Sequence, residues 1–430
     1  MQILTPCKEA YSGTRSITRT NRAVSGLEQR QGMPMNGNVV IIGAGIAGLT
    51  TAIGLRRAGI DAEVHEARDR PTAEDNSLAI AANGLRALGH LDCIEPVLER
   101  GFLVSRMSVW SGRGKRLGTI PFAGSEYGDL AGLAISRTPL IEALTERARD
   151  LGATITYGRR LVDAEPGADG VLTRFDDGST ATGTTLIGAD GEYSRIRRII
   201  DPDAPAPRYA GLVECGGYTD AAMDLPSNEI TMIFGRRAFF GCGRGPGGRT
   251  WWFANVPTTP EPSREELRSL SSDAWKRRLL ELFADDAGPA RSIIEATEGP
   301  LRPRVSRLLP PAPVWHRDRM MIIGDAAHCA SPNSGQGASM AIEDAVVLSG
   351  HLRASDSVEA AFRGYENARR DRVDRVVRYG ARSARSKALG PIARVAADAL
   401  MPFVFRRIAT HRTLDWLYDY DAASGLPTPV

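Results

Sequence analysis

The apolar positions between residues 39 and 66 change period twice within one short stretch. Val39 to Ile42 is a continuous apolar run, as a strand covered on both faces requires. "GAGIAGLTTAIGLRRAGI" then reads as a tight turn, an amphipathic helix and a stop at Gly59. "DAEVHEA" predicts the next strand, with Glu66 near its end. That order predicts a βαβ unit and the start of a doubly wound sheet.

Further on, "SRTPLIEALTERARDLG" predicts a helix with Thr138 as cap, Pro139 at the first helical position and Gly152 beyond the end. "ATITYG" and "VLTRFDDGSTATGTTLIGAD" follow as strands, with "DDGS" as a hairpin turn. After Pro202 the period becomes two. Ile230, Met232 and Phe234 alternate, and aromatic strands flank the turn "GRGPGG", with "TWWFANVP" as partner. The pattern from 208 to 300 predicts an antiparallel sheet with one covered face, a natural lid for an apolar ligand. Trp251, Trp252, Phe239 and Phe240 either line a cavity there or fill the sheet core.

The chain then returns to a buried strand in "MMIIGDAAH" and is helical from about 358. Arg363 to Lys387 reads as a basic, solvated helix face. Ile392, Val395, Ala396, Ala399, Leu400, Phe403 and Val404 keep the spacing of a helix packed on the body. The first 36 residues are polar and slightly basic, lack a signal-peptide apolar core, and read as a disordered tail.

Composition removes several classes of function. A net charge of +3 over 430 residues offers no field for nucleic acid. No apolar run reaches the ~18 residues of a membrane span. The five cysteines (Cys7, Cys93, Cys215, Cys242, Cys329) are scattered and odd in number, which argues against a disulfide framework and fits a reducing cytoplasm. Neither they nor the six histidines show metal-ligand spacing, so no metal is expected.

The candidate chemistry begins at Gly43-x-Gly45-x-x-Gly48, between a predicted strand and helix. Gly43 permits the turn, Gly45 lets backbone approach a pyrophosphate, and Gly48 lets the helix pack closely on the sheet. Ile46, Ala47 and Gly48 open the helix, whose free N–H groups and positive dipole end favour phosphates. Glu66 is placed to accept hydrogen bonds from an adenosine ribose, and its charge disfavours NADP at this site. The motif by itself leaves FAD and NAD open.

Two further strand ends narrow that choice. "LIGADGEYSRIR" puts Asp190, Gly191, Ser194 and Arg197 after an apolar strand, and "IIGDAAH" puts Asp325 after another. Together with the βαβ start, these stretches resemble the group A flavin monooxygenases, the para-hydroxybenzoate hydroxylase-like family, over about Val39 to Asp421. The resemblance implies an α/β fold: a doubly wound Rossmann-like FAD-binding domain, an inserted antiparallel substrate sheet and C-terminal helices. Its expected boundaries are a tail at 1–36, FAD-binding segments at 37–207 and 301–357, the substrate sheet at 208–300, and a helical region at 358–430.

The resemblance further implies FAD with its ADP half at the first motif, Asp190 near FAD and NAD(P)H, and Asp325 on the ribityl chain. It places Arg137, in "SRTPL", on the ribose-phosphate side, and makes "LDWLYDYD" (Leu414 to Asp421) a family-like stretch. The physics of the third motif agrees. A helix opening near Gly335-Gln336-Gly337-Ala338-Ser339 would aim N–H groups at the flavin pyrimidine edge, where reduced flavin carries negative charge. Pro332 and its small neighbours leave room on one ring face. Many relatives carry Asn where Ser339 stands, which shifts the expected contact from side chain to backbone.

The implied activity is monooxygenation: NADPH or NADH reduces the flavin, and O2 reacts through a C4a-hydroperoxide to place one oxygen on an aromatic or polycyclic small molecule. Hydroxylation is the first expectation; epoxidation, Baeyer–Villiger insertion, or a reductase or oxidase of the superfamily are the alternatives. The cofactor carries the hard chemistry, so no protein nucleophile is required. His328 is a candidate general base, against a role bracing its loop. Glu343 and Asp344 are expected to serve helix electrostatics and packing. A halogenase would carry a second tryptophan where Ala254 stands.

Overall fold

A computed structural model describes residues 37–70, 77–125, 132–245, 248–329, 334–387 and 410–427. The expected N-terminal tail, the apolar helical stretch from Ile392 to Val404, and Pro332 all lie outside these residues. Strand β1 (Val39–Ile42), helix α1 (Ile46–Arg57) and strand β2 (Ala62–His65) form the expected βαβ unit. They are followed by β3 (Ser77–Ile80), α2 (Ala82–His90), α3 (Ile94–Leu98), β4 (Phe102–Val104), and the hairpin β5 (Arg106–Ser111) and β6 (Arg116–Pro121). Strand β7 (Gly132–Ser136) runs directly into α4 (Arg137–Asp150), and β8 (Thr154–Thr156) follows. The N-cap of α4 is Ser136, so the helix begins two residues before the expected Thr138 cap.

A meander of β9 (Leu161–Pro166), β10 (Val171–Phe175) and β11 (Thr180–Gly183) leads to β12 (Thr185–Gly188) and α5 (Arg195–Ile200). Next come β13 (Arg208–Thr219), β14 (Glu229–Phe234), β15 (Phe239–Arg244) and β16 (Thr250–Pro257). Helices α6 (Arg264–Ser269), α7 (Ser272–Leu282) and α8 (Ala290–Ala296) precede β17 (Arg304–Leu308), so the sheet expected over 208–300 ends at Pro257 and the rest of that stretch is largely helical. The chain closes with β18 (His316–Arg317), β19 (Met320–Ile322), α9 (Asp325–His328), α10 (Gly337–Ala354), α11 (Val358–Lys387) and α12 (His411–Tyr418).

The dinucleotide-type sheet has the order β18-β19-β12-β1-β2-β8, parallel except for the β18–β19 edge. Helix α1 is buried from Ile46 to Leu55, which explains its nearly all-apolar sequence. It is clasped by α10 at close range: a Cβ added to Gly54 would lie 2.7 Å from Ser349 Oγ. The fold is thus α/β, with the βαβ start, the return strand β19 and the C-terminal helices where the pattern predicted them. The basic face of α11 is not wholly solvated, however: Arg369 and Arg372 turn inward to buried carboxylates.

The second sheet has the order β17-β13-β16-β15-β14-β5-β6. It is antiparallel except between β14 and β5, so a hairpin from residues 106–121 joins strands that come about a hundred residues later. Nothing in the local pattern announces that long-range pairing. One face packs on α7 and α8 through Trp252, Phe240, Phe283, Trp275 and Ile293. The other turns toward the dinucleotide-type body, where Ile230 and Trp251 belong to the main core. The two roles open to the aromatic pairs therefore separate by strand alternation. Trp252 and Phe240 fill the core under the sheet, while Trp251 shares the opposite face with Phe253 and Phe239.

Candidate functional site

The three glycines after β1 meet three different environments. Gly43 has φ +106°, and a Cβ there would lie 2.4 Å from the Ala189 carbonyl oxygen. A Cβ on Gly48 would lie 1.9 Å from the Gly43 oxygen, so only glycine lets α1 close onto the turn. A Cβ on Gly45 would meet nothing within 4 Å; this glycine faces open space. Gly45 is also the N-cap of α1, with no side chain capping it and no acid in the first turn. The amides of Ile46, Ala47 and Gly48 therefore lie among the orphan donors of a helix start.

Glu66 ties this loop to β2. Its Oε2 accepts from the Ala44 amide at 2.9 Å and its Oε1 from the Arg68 amide at 3.0 Å. Each oxygen keeps a second lone pair for a ligand hydroxyl.

At the second motif the carboxyl of Asp190 caps α5. It accepts from Ser194 Oγ at 2.6 Å, the Arg195 amide at 2.6 Å and the Ile196 amide at 3.2 Å. Burial pushes its pKa up, and these three bonds pull against that rise. Arg197, only 2% exposed, donates to the Glu192 carbonyl at 2.7 Å and to the Ala326 carbonyl at 2.8 Å. One guanidinium thereby fastens the second motif to the third.

Asp325 opens the one-turn helix α9 rather than ending the strand, because Gly324 bends the chain with φ +56°. A Cβ on Gly324 would touch Ala47 Cβ at 2.8 Å, so the third motif abuts the first. Asp325 itself is exposed to solvent. The protein around the cleft nonetheless pushes its carboxyl up, offset by His328 and by Arg137 at the start of α4.

Helix α10 begins at Gly337 with Gln336 as N-cap, again with no capping side chain and no acid in its first turn. Gly335, with φ +62°, supplies the bend before it. Gln336 is fully buried: its Oε1 accepts from Asn83 Nδ2 at 2.9 Å, and its Nε2 has no partner among the described residues. Ser339 Oγ accepts from the Ala81 amide at 3.1 Å, so that side chain braces the start of α2, while Ala338 stays half-buried. The two bare helix starts, the open Gly45 cradle and the orphan Gln336 amide suit a dinucleotide with a polar ring edge.

Behind the third motif lies a buried polar network. Asp344 accepts from the Gly324 amide at 2.9 Å, His328 Nε2 at 2.6 Å and Arg369 Nε at 2.8 Å. Glu343 accepts from Asn83 at 2.6 Å, Arg369 at 2.7 Å and Arg372 at 2.9 Å. Burial would raise Asp344, but His328 and Arg369 overcome it and hold its pKa at about 2. His328 is 4% exposed and bonded inward, which gives it the bracing geometry. Cys329 is buried and its thiol pushed well above the usual range, so it is no nucleophile.

Above the cleft, the inward face of the second sheet carries Met232, Trp251, Phe253 and Phe239. Gly241 and Gly243 leave room for two of these rings: a Cβ would lie 2.3 Å from Phe253 and 2.8 Å from Trp251. Tyr218, on the same face, reaches Ser77 Oγ and Ser136 Oγ in hydrogen-bond contact. Sequence reasoning did not single out Tyr218, Asn83 or the bridging role of Arg197. Each acts across more than eighty positions of chain, and no local signal marks such partners.

Three strand-end motifs meeting beneath a lidded sheet define a flavin-nucleotide enzyme. The chain belongs to the FAD binding domain family, which matches residues 36–379, and it is an FAD-dependent monooxygenase. It is 32% identical to the FAD-dependent urate hydroxylase of Klebsiella pneumoniae subsp. pneumoniae over 349 residues, 78% of this chain and 86% of that protein. It is 30% identical to the 3-amino-4-hydroxybenzoate 2-monooxygenase of Streptomyces cremeus over 406 residues, 90% and 96% of the two chains. The crystal structure of Klebsiella pneumoniae HpxO with FAD and uric acid superposes with a TM-score of 0.79 at 28% identity, covering 90% of this chain and 98% of that one. Among the described residues no helix is long and apolar enough to cross a membrane, and no cluster of His, Cys, Asp and Glu could hold a metal ion.

Proposed function

We propose that the protein hydroxylates an aromatic small molecule, taking electrons from NADH or NADPH and one oxygen atom from O2. The observation that carries this reading is the aromatic face of Trp251, Phe253, Phe239 and Met232, with two rings laid over glycines, turned toward the FAD-binding body. Relatives named as urate hydroxylase, 3-amino-4-hydroxybenzoate 2-monooxygenase and 6-hydroxynicotinate 3-monooxygenase support an aromatic substrate.

FAD, when bound, supplies the redox and oxygen-transfer chemistry. The chain's own residues bind and orient it. The amides of Ile46, Ala47 and Gly48 receive the pyrophosphate, Gly43 and Gly45 give it backbone access, and Glu66 holds the adenosine ribose. Asp325 accepts from the ribityl hydroxyls, and the Arg137 charge works against the rise that desolvation gives that carboxyl. Gly337, Ala338 and Ser339 direct the bare α10 start at the ring edge, with Gly335 and Gln336 shaping the turn. Asp190 holds the second motif in place by capping α5.

The test is isotopic. FAD-loaded enzyme is supplied with NADH or NADPH, 18O2 and a panel of hydroxylated and nitrogen-containing mono- and bicyclic aromatics. A product carrying one 18O atom on a ring carbon is expected. Hydrogen peroxide alone with every compound, or oxygen placed as an epoxide or lactone, would overturn the hydroxylase reading.

A further inference from the structure

The inward face of the second sheet is largely aromatic, and at one corner it carries a carboxylate, Glu214, paired across strands with Arg304. Val213 and Cys215 both pack into the core under the sheet, so Glu214 between them points the other way, toward the cleft. The register pairs Glu214 with Asn255 and Asn255 with Phe239, which makes the three residues one row of the inward face. The next row is Gly216, Phe253 and Gly241, and the third is Tyr218, Trp251 and Gly243. The middle row holds one ring between two glycines: Phe253 lies over Gly241, and Gly216 adds no side chain beside it.

The Glu214 side chain is half-buried, yet its Oε1 is shielded from solvent and has no hydrogen-bond partner among the described residues. Its cross-strand neighbour Arg304 leaves that oxygen unsatisfied. A shielded carboxylate oxygen without a partner is costly and unusual, because its desolvation goes uncompensated. Glu214 also lies close enough to Glu192 and Cys329 to act on both, which puts it at the Asp325 end of the cleft. Of the nearby cations, Arg307 is engaged by Glu261 and Arg197 by two backbone carbonyls.

Resting on the aromatic-hydroxylase reading, we infer that Glu214 is a substrate-binding carboxylate that selects planar aromatics presenting an O–H or N–H and rejects ring carboxylates. The row of Tyr218 and Trp251 lies four residues along the strand from that of Glu214 and Asn255, about 13 Å at the usual strand rise. That span suits a fused-ring aromatic lying along the strands against the half-buried Phe253 ring, with its donor at the Glu214 end. A hydrogen bond from a ring hydroxyl to a carboxylate also raises electron density on the ring, which favours attack by an electrophilic oxygen.

Three probes of matched shape test this on FAD-loaded enzyme without reductant: 2-naphthol, 2-methoxynaphthalene and 2-naphthoate. Dissociation constants are read from the perturbation of flavin absorbance. Wild type should bind the naphthol roughly tenfold or more tighter than the methoxy compound, the scale of a hydrogen bond to a charged group, and the naphthoate weakest. Glu214→Leu should bring naphthol and methoxynaphthalene to within about twofold, and Glu214→Gln should strengthen naphthoate, as loss of the acceptor and of the charge respectively require. FAD content and melting temperature of both variants serve as the folding control. Naphthol selectivity that survives Glu214→Leu, naphthoate bound by wild type as tightly as naphthol, or no binding of any probe would overturn the assignment. Binding is read without turnover, so failed oxygenation with these ratios intact would overturn the hydroxylase reading alone.

Discussion

The Arg197 guanidinium lies 2.8 Å from the Ala326 carbonyl, joining residues 129 positions apart. Its second hydrogen bond, to the Glu192 carbonyl, makes it the clasp between two of the three strand-end motifs. Lysine cannot span both carbonyls, because it is a point donor rather than a planar fork. Arg197→Lys should therefore lower thermal stability by about 1–3 kcal/mol, the cost of stranding a buried acceptor. It should also weaken FAD binding by at least about tenfold. Fluorescence titration of apoprotein with FAD reads the second effect; unchanged affinity would show that the clasp does not shape the site.

The network around Asp344 predicts an acid limb. Its carboxyl is held at about 2 in the folded chain, below the ordinary aspartate value, by His328 and Arg369 acting against burial. Glu343 is likewise lowered: burial opposes ionisation, and Arg372 and Arg369 outweigh it. A depressed folded pKa contributes stability that is complete above the unfolded value and is lost as pH falls through the folded one. The Asp344 share, about 2 kcal/mol, should thus vanish between roughly pH 4 and pH 2. Urea midpoints measured across that range should fall more steeply for wild type than for Asp344→Asn. At neutral pH the same variant should be destabilised by about 3–5 kcal/mol, because Arg369 is left buried with one fewer counter-charge.

How far the chain could be read from its own pattern depended on the range of the interactions. The βαβ unit, Glu66 and the Asp325 turn rest on glycines and an acid within a few residues of a strand end, so local spacing revealed them. Trp251 and Trp252 are adjacent, and which one faces the cleft depends on the register of β16 against β13 and β15. The hairpin fixes that register locally, but which face turns to the body is set by the packing of Trp252 on α7 and α8, which the alternation alone does not state. The pairing of β5 with β14 and the bonds of Tyr218 to Ser77 and Ser136 are longer-range still. The helix at Arg137 began early because Ser136 leaves the strand in an extended conformation that serves as an N-cap without its hydroxyl, which is spent on Tyr218.

Gly45 and Gly48 should separate folding from cofactor binding. A methyl on Gly48 would lie 1.9 Å from a backbone oxygen, and backbone cannot rotate away. Gly48→Ala should cost about 1–3 kcal/mol of apoprotein stability through overpacking, and FAD with it. Gly45 has an ordinary φ of −82° and open space before it, so its alanine variant should melt within about 1 kcal/mol of wild type. FAD affinity should nonetheless fall at least about tenfold, since the methyl occupies the path of the pyrophosphate. Apoprotein melting and FAD stoichiometry, measured side by side, check the contrast. Equal FAD binding by Gly45→Ala and wild type would place the pyrophosphate elsewhere.

Tyr218 predicts an effect on fidelity rather than on folding. Its hydroxyl connects the substrate sheet to Ser77 on β3 and to Ser136, the residue before Arg137. Arg249 lies over its ring at 4.7 Å, so the ring itself stays packed when the hydroxyl is removed. Tyr218→Phe should then cost only about 1 kcal/mol of stability, the net worth of an ordinary hydrogen bond. What it releases is the angle between the aromatic face and the FAD-binding body, and small misplacements of reacting groups are costly. With an oxygenated substrate in hand, the variant should consume NAD(P)H at a rate near wild type while the yield of product per NAD(P)H falls and hydrogen peroxide rises. A coupling ratio equal to that of wild type would reduce Tyr218 to a packing residue. A parallel loss of NAD(P)H consumption and product would instead point to damage at the FAD site through Arg137.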